Sequence, residues 1–257
     1  MVGVRANVAH RLLHWSGHNV CLATSVWIVS ETLAMHMSDG LLNAPTSLLF
    51  VVVAVVGVGV ALAKARGDLD DRTAPMAGLV AAFVFATQML NFPVLPGVSG
   101  HLLGGALAAI LVGPWVGALC VTIVLVLQAL LFADGGVTAL GANITNMALI
   151  GTAVGFLVAV SLRRLAQRGK GGIAFVAFVS ALVNTVVASG GFVLEYAIGG
   201  QGGVSLGTVA VAIIGVHVLI GIGEGLITAA TVTAVSAVRP DLVYLLRGAS
   251  QKLELRA

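Results

Sequence analysis

The chain has 257 residues, 59% of them hydrophobic and only 9% charged, with a net charge of +3 and mean hydropathy +1.08. A soluble domain carries about 25% charged residues, so this composition excludes an ordinary soluble enzyme and points to lipid as the solvent. The basic excess forms no stripe with interleaved aromatics, which excludes a nucleic-acid partner.

Residues 1–34 read as a signal peptide. Arg5 and Arg11 form a basic start, Cys21 to Ser30 is a short apolar stretch, and Thr32 and Ala34 are the small residues of a cleavage site. A start codon assigned too early, with translation beginning at Met35, reads equally well, and both routes expose the same amine. An uncleaved membrane helix is disfavoured, because the apolar part is shorter than the ~20 residues a span needs. His10, His14 and His18 fall in this discarded segment and are read as chance. Cys21 leaves with it, and Cys120, in an apolar run, reads as an inert buried thiol.

From Met35 onward the pattern predicts an all-α polytopic bundle of about seven transmembrane helices over residues 35–238, followed by a polar cytoplasmic tail, 239–257. Asp39-Gly40 and Asn43-Ala44-Pro45 are turn chemistry, and Pro45 suits a first helical position. The spans run from Thr46 to Ala63, Met76 to Asn91, His101 to Val112, Trp115 to Phe132, Asn143 to Leu162, Ile173 to Ile198, and within Leu206 to Val238. Phe92 to Gly100 reads as irregular, with Pro93, Pro96, Gly97 and Gly100 clustered.

Every Lys and Arg after Met35 lies in the 64–74 loop, the 163–172 loop or the C-terminal tail. The loops at 92–100, 133–142 and 199–205 carry none. The positive-inside rule therefore puts the basic side in the cytoplasm and Met35 outside. A signal peptide delivers Met35 to the same side.

As a first residue, Met35 would offer its free amine beside the amide and imidazole of His36. These nitrogens close fused chelate rings on one metal, a planar donor set that suits Ni(II), Cu(II) or low-spin Co(II). A fourth nitrogen must come from elsewhere, and His101, beside the Pro/Gly-broken loop on the outer side, is the candidate. Gln88 and Asn91 lie near the same loop and are candidates to hold a ligand histidine in its tautomer. Ser99 next to His101 lacks an acidic orienter and is discounted as a nucleophile. Asn143 and Asn146 either tether the buried N-terminal segment or act as interhelical polar contacts. His217 and Glu224 stand seven residues apart on one helix face and read as supporting or packing groups.

Four motifs carry a resemblance. Met35-His36-Met37-Ser38-Asp39-Gly40 is similar to the M-H-[IM]-x-[DE]-G opening of the CbiM/NikM family, the substrate-specific components of energy-coupling-factor (ECF) importers for cobalt and nickel. Pro96 to Gly105 resembles that family's P-G-x-S-G-H-x-x-G-G loop. Gly141 to Met147 resembles its G-x-N-x-x-N-M segment, and His217 to Thr228 its H-x-x-I-G-x-G-E-x-x-I-T helix. The likeness runs in order from Met35 to about Thr231. It implies a seven-helix bundle with its N-terminus tucked into the core. It maps the metal ligands onto the Met35 amine, the His36 amide and imidazole, and the His101 imidazole. The residues ahead of Met35 depart from the family's mature start.

The resemblance also implies a capture subunit for Co(II) or Ni(II) with no catalysis of its own. A Gly-x-x-x-x-Gly-Lys-Ser/Thr loop is absent, so ATP must be hydrolysed by others. The implied partners are an ECF coupling transmembrane protein, two ABC ATPase subunits, a small accessory membrane subunit and the lipid bilayer of the cell membrane. Cobalt is slightly favoured, because a capture subunit without a fused accessory part is common on that side. Two rival readings are an intramembrane metalloenzyme and a vitamin-binding capture subunit. The first lacks H-E-x-x-H, and the second would want more than 5% aromatics.

Overall fold

The computed structural model describes residues 36–69, 73–89, 92–95, 98–201 and 203–247, with only the backbone of 92–95 and 98–100. Met35, Asn91, the leader and the end of the tail lie outside the described residues.

Among the described residues eight helices follow one another: α1 (Ala44–Ala65), α2 (Thr73–Gln88), α3 (Gly105–Val112), α4 (Pro114–Phe132), α5 (Leu140–Ser161), α6 (Arg163–Ala166), α7 (Lys170–Gly199) and α8 (Leu206–Val238). Five of them, α1, α4, α5, α7 and α8, are long and apolar enough to cross a membrane. The chain is an all-α, multi-pass membrane protein.

Local chemistry sets the helix ends. Asn43 caps α1 by accepting from the Thr46 amide at 2.9 Å, and Pro45 occupies the first turn, where a missing N–H costs nothing. Thr122 and Thr145 return their hydroxyls to the carbonyl four residues back, so their polar groups are satisfied inside apolar helices. Both α4 and α5 contain a π-helical stretch, Gln128–Phe132 and Ile144–Ile150. Such wide turns are frequent at functional sites.

The third expected span is different from the reading above. Only eight residues of it are helical, and α3 rises about 12 Å against a hydrocarbon core of about 30 Å. Every residue of α3 is buried, against α2, α4, α5, α7 and α8. Non-helical backbone ahead of it is tolerated at this depth because protein surrounds it. The Phe92–Gly100 region, expected to be irregular, is an antiparallel hairpin of β1 (Phe92–Leu95) and β2 (Val98–Gly100), with an irregularity between Pro93 and Leu95. Pro93 is tolerated because the ribbon has only edge strands.

The tail also departs from expectation. Residues 240–242 and 244–246 form short 3₁₀ turns, and Val243 and Leu245 are buried in the main core. Tyr244 packs edge-on to Phe156, and Arg247 donates to Thr73 Oγ1 at 3.2 Å. The tail and the start of α2 thus share one end of the bundle. Tyr244 lies against Gly113, at the start of α4, so Asp134, just beyond the other end of α4, belongs to the opposite end.

Candidate metal centre

The segment from His36 to Asn43 is docked, not free. The Met37 amide donates to Asn143 Oδ1 at 2.8 Å. The Met37 carbonyl accepts from Asn143 Nδ2 at 3.2 Å and from the Gly136 amide at 2.8 Å. One asparagine side chain therefore mimics a backbone strand and holds both polar groups of Met37. The Met37 side chain is buried with Leu41, Leu42, Ala142, Phe192 and Tyr196. Asp39 Oδ1 accepts from the Thr138 hydroxyl at 2.6 Å and its amide at 2.7 Å. Those two bonds, the hydroxyl first, hold the Asp39 carboxyl below the usual carboxylate range. Gly136 permits the approach: a Cβ there would lie 2.6 Å from the Ser38 carbonyl carbon and 2.7 Å from Asp39 Oδ1.

This docking brings His36 to His101. Both are buried, with ring centres 4.6 Å apart and planes tilted by 50°. Two imidazoles on adjacent positions of one ion, with metal–nitrogen bonds of about 2 Å, have ring centres roughly 4.5 Å apart. His36 Nε2 is buried with no hydrogen-bond partner among the described residues. His101 Nδ1 lies 2.9 Å from the Leu102 carbonyl, which assigns it the proton and leaves Nε2 as the lone-pair nitrogen. A pocket of about 330 Å³ lined by His36, Ser38, Asp39 and Ala133 to Gly136 opens beside the pair. Among the described residues no three His, Cys, Asp or Glu side chains form a cage.

The other His36 nitrogen is engaged. Nδ1 lies 3.0 Å from Asp134 Oδ1. That hydrogen bond is the main reason the Asp134 carboxyl sits below the ordinary carboxylate range. Asp134 was not singled out from the sequence. The sequence does carry a signal for it: Asp134 is the only ionisable residue in the loops 92–100, 133–142 and 199–205.

The His101 turn is anchored from α8. Glu224 Oε2 accepts from the Leu103 amide at 3.0 Å and Thr185 Oγ1 at 2.8 Å. Its Oε1 accepts from the Gly104 amide at 3.1 Å and Asn184 Nδ2 at 3.1 Å. Four donors on one buried carboxylate close the N-terminal end of α3, where backbone N–H groups would otherwise be orphaned. Gly104 has φ +79°, a left-handed turn that suits glycine. Gln88 Nε2 donates to the Leu103 carbonyl at 2.7 Å, fixing the same turn from α2. His217 is buried in α8 with Nδ1 on the Ile213 carbonyl. Among the described residues Asn146 makes no hydrogen bond to the N-terminal segment. Its Nδ2 donates to Glu195 at 2.7 Å and joins α5 to α7. The Ser99 side chain lies outside the described residues, although its backbone belongs to β2.

The family model for the CbiM cobalt uptake substrate-specific transmembrane region matches residues 36–242. The chain belongs to the CbiM family. A protein of Archaeoglobus fulgidus, provisionally named a fused nickel transport protein, NikMN, is 39% identical over 81% of this chain and 68% of its own length. The cobalt transport protein CbiM of Sorangium cellulosum is 32% identical over 81% of this chain and 94% of its own. A crystal structure of a transition metal transporter superposes with a TM-score of 0.69 at 28% identity, covering 85% of this chain and 99% of that one. The family match begins at His36, the residue that reaches Asp134 and His101.

Proposed function

We propose that this chain is the metal-capturing membrane subunit of an ECF-type importer for Co(II) or Ni(II), supplying cobalt for cobalamin synthesis or nickel for enzymes. The observation that carries the reading is the pair of buried imidazoles, His36 and His101, 4.6 Å apart in a CbiM-family chain. Met35, freed as the first residue, supplies its amine, and His36 supplies its amide and imidazole nitrogens. His101 completes four nitrogens. A chelate through the amide closes on Nδ1 of His36, so the metal takes the nitrogen that Asp134 otherwise holds. Four nitrogens in one plane suit Ni(II) and low-spin Co(II).

The basic loops face the cytoplasm and the metal enters from the opposite side. The subunit takes its energy from a coupling membrane protein, two ATPases and a small accessory membrane subunit. The test is anaerobic titration of metal-free protein beginning at Met35 with Co(II) and Ni(II). His101→Ala should abolish tight binding while the bundle stays folded. His217→Ala should cause a milder loss. Abolition by His217→Ala alone would overturn the ligand assignment.

A further inference from the structure

Two recesses adjoin at the end of the bundle opposite the metal centre. One is an apolar groove of about 560 Å³ between α1, α4 and α5, lined among others by Gly57, Val60, Trp115, Ala153, Phe156 and Leu157. The other, about 290 Å³, is lined by Phe156, Val160, Arg163, Tyr244, Leu245 and Arg247. Phe156 and Tyr244 belong to both, so a long apolar groove leads directly into a space with two guanidiniums on its wall.

One of those guanidiniums is held in place. Arg247 stacks on Tyr244, with Cζ 5.5 Å from the ring centre, and donates to Thr73. The Arg163 Nε–H is buried and has no hydrogen-bond partner among the described residues. A buried charged donor without an acceptor is costly, and an acceptor brought from outside would relieve it. Asp68 is the acidic group felt at Tyr244, set against both arginines, so two positive charges face one negative. The groove exposes Leu157 and Trp115 toward the surrounding lipid.

We propose that this pair of recesses is a binding site for an anionic phospholipid. Its phosphate pairs with Arg163 and Arg247, and one acyl chain lies in the groove beside Phe156, Trp115 and Leu157. Guanidinium is the donor geometry that phosphate oxygens match best. Basic pockets between membrane helices at the cytoplasmic surface recognise acidic headgroups in this way. The docked tail supplies both Tyr244 and Arg247, so the lipid also ties the C-terminal turns to α5. This site is separate from the metal centre and does not depend on which metal is carried.

The test uses the full chain in detergent, with native mass spectrometry and thermal unfolding against phosphatidylglycerol and phosphatidylcholine of identical acyl chains. Inorganic phosphate is a third arm. At about 1 kcal/mol per basic residue, phosphatidylglycerol should be retained at least about tenfold better than phosphatidylcholine. The double variant Arg163→Ala/Arg247→Ala should erase that preference. Ala153→Trp, at an exposed position, should fill the groove and lower retention of both lipids. Co(II) or Ni(II) binding should be unchanged in every variant, which shows that the bundle remains folded. Equal retention of the two lipids, an unchanged preference in the arginine variant, or inorganic phosphate competing at the lipid's own concentration would overturn the site. So would protection of both arginines by a protein partner in lipid-free assembled importer.

Discussion

His36 Nδ1 is bonded to Asp134 Oδ1 at 3.0 Å, while Nε2 of the same ring is buried and unpartnered. In the proposed chelate, which closes on Nδ1 through the backbone amide, capture of metal would exchange this carboxylate for the ion. Nitrogen NMR of histidine-labelled protein reads the exchange. Metal-free protein should show the His36 Nδ1 protonated, and Asp134→Ala should release that tautomer. Diamagnetic Ni(II) loading should move Nδ1 to a metal-bound shift. A His36 Nδ1 that stays protonated after loading would mean that the ion is held through Nε2 instead.

Asn143 holds both polar backbone groups of Met37. Asn143→Asp keeps the acceptor for the Met37 amide but turns a second oxygen toward the Met37 carbonyl. Leaving a buried group mispaired costs about 1–3 kcal/mol, which is roughly a 5- to 150-fold loss of metal affinity if the segment undocks. Isothermal titration, with protease sensitivity between His36 and Asn43, measures it. Wild-type affinity in Asn143→Asp would show that the clamp is dispensable.

Glu224 is the corresponding anchor for His101. Glu224→Gln replaces an acceptor-only carboxylate by a group whose NH₂ faces at least one of four donors. Metal affinity should fall about 5- to 150-fold, since one unsatisfied buried group costs about 1–3 kcal/mol. The 98–104 turn should exchange its amide hydrogens faster. Unaltered exchange together with unaltered affinity would leave Glu224 as a packing residue only.

The sequence carried the membrane class and the positions of the five long apolar helices, because apolar run length reports directly on lipid. It did not carry the length of α3. His101 to Val112 is uniformly apolar, and hydropathy cannot distinguish a lipid-crossing span from a half-helix buried in protein. His36 and His101 were legible through their motifs. Asp134 was not legible as a partner of His36, because Asp134-Gly135-Gly136 is also ordinary turn chemistry. Asn184, Thr185 and Glu195 were missed for a related reason: α7 is apolar on both sides of them, and only the approach of α5 and α8 gives each its partner. The docked tail was missed because its apolar run, Leu242 to Leu246, is only five residues long and is bounded by Asp241 and Arg247.

Asp39 provides a pH test that is independent of metal. Its carboxyl is held below its ordinary value of 3.8, first by the Thr138 hydroxyl and then by the Thr138 amide. A depressed native pKa contributes stability above the unfolded value and loses it as pH falls through the folded one. The gap in melting temperature between wild type and Asp39→Asn should therefore be small but present at pH 7 and should close as pH falls below about 4. The same gap should vanish in a Thr138→Ala background. A gap that widens in acid would contradict the assignment.

The central claim is that the backbone at Met35 is itself part of the metal site. The decisive measurement is the Ni(II) and Co(II) affinity of protein beginning at Met35, compared with protein carrying one extra Gly ahead of it. Either that Gly or acetylation of the amine destroys the fused chelate without touching a side chain of the bundle. The account predicts that both changes are as damaging as His36→Ala, and that affinity falls as pH falls because every ligand nitrogen must be unprotonated. Unchanged affinity in the protein with the extra Gly would contradict it and leave the His36–His101 pair as an ordinary side-chain site.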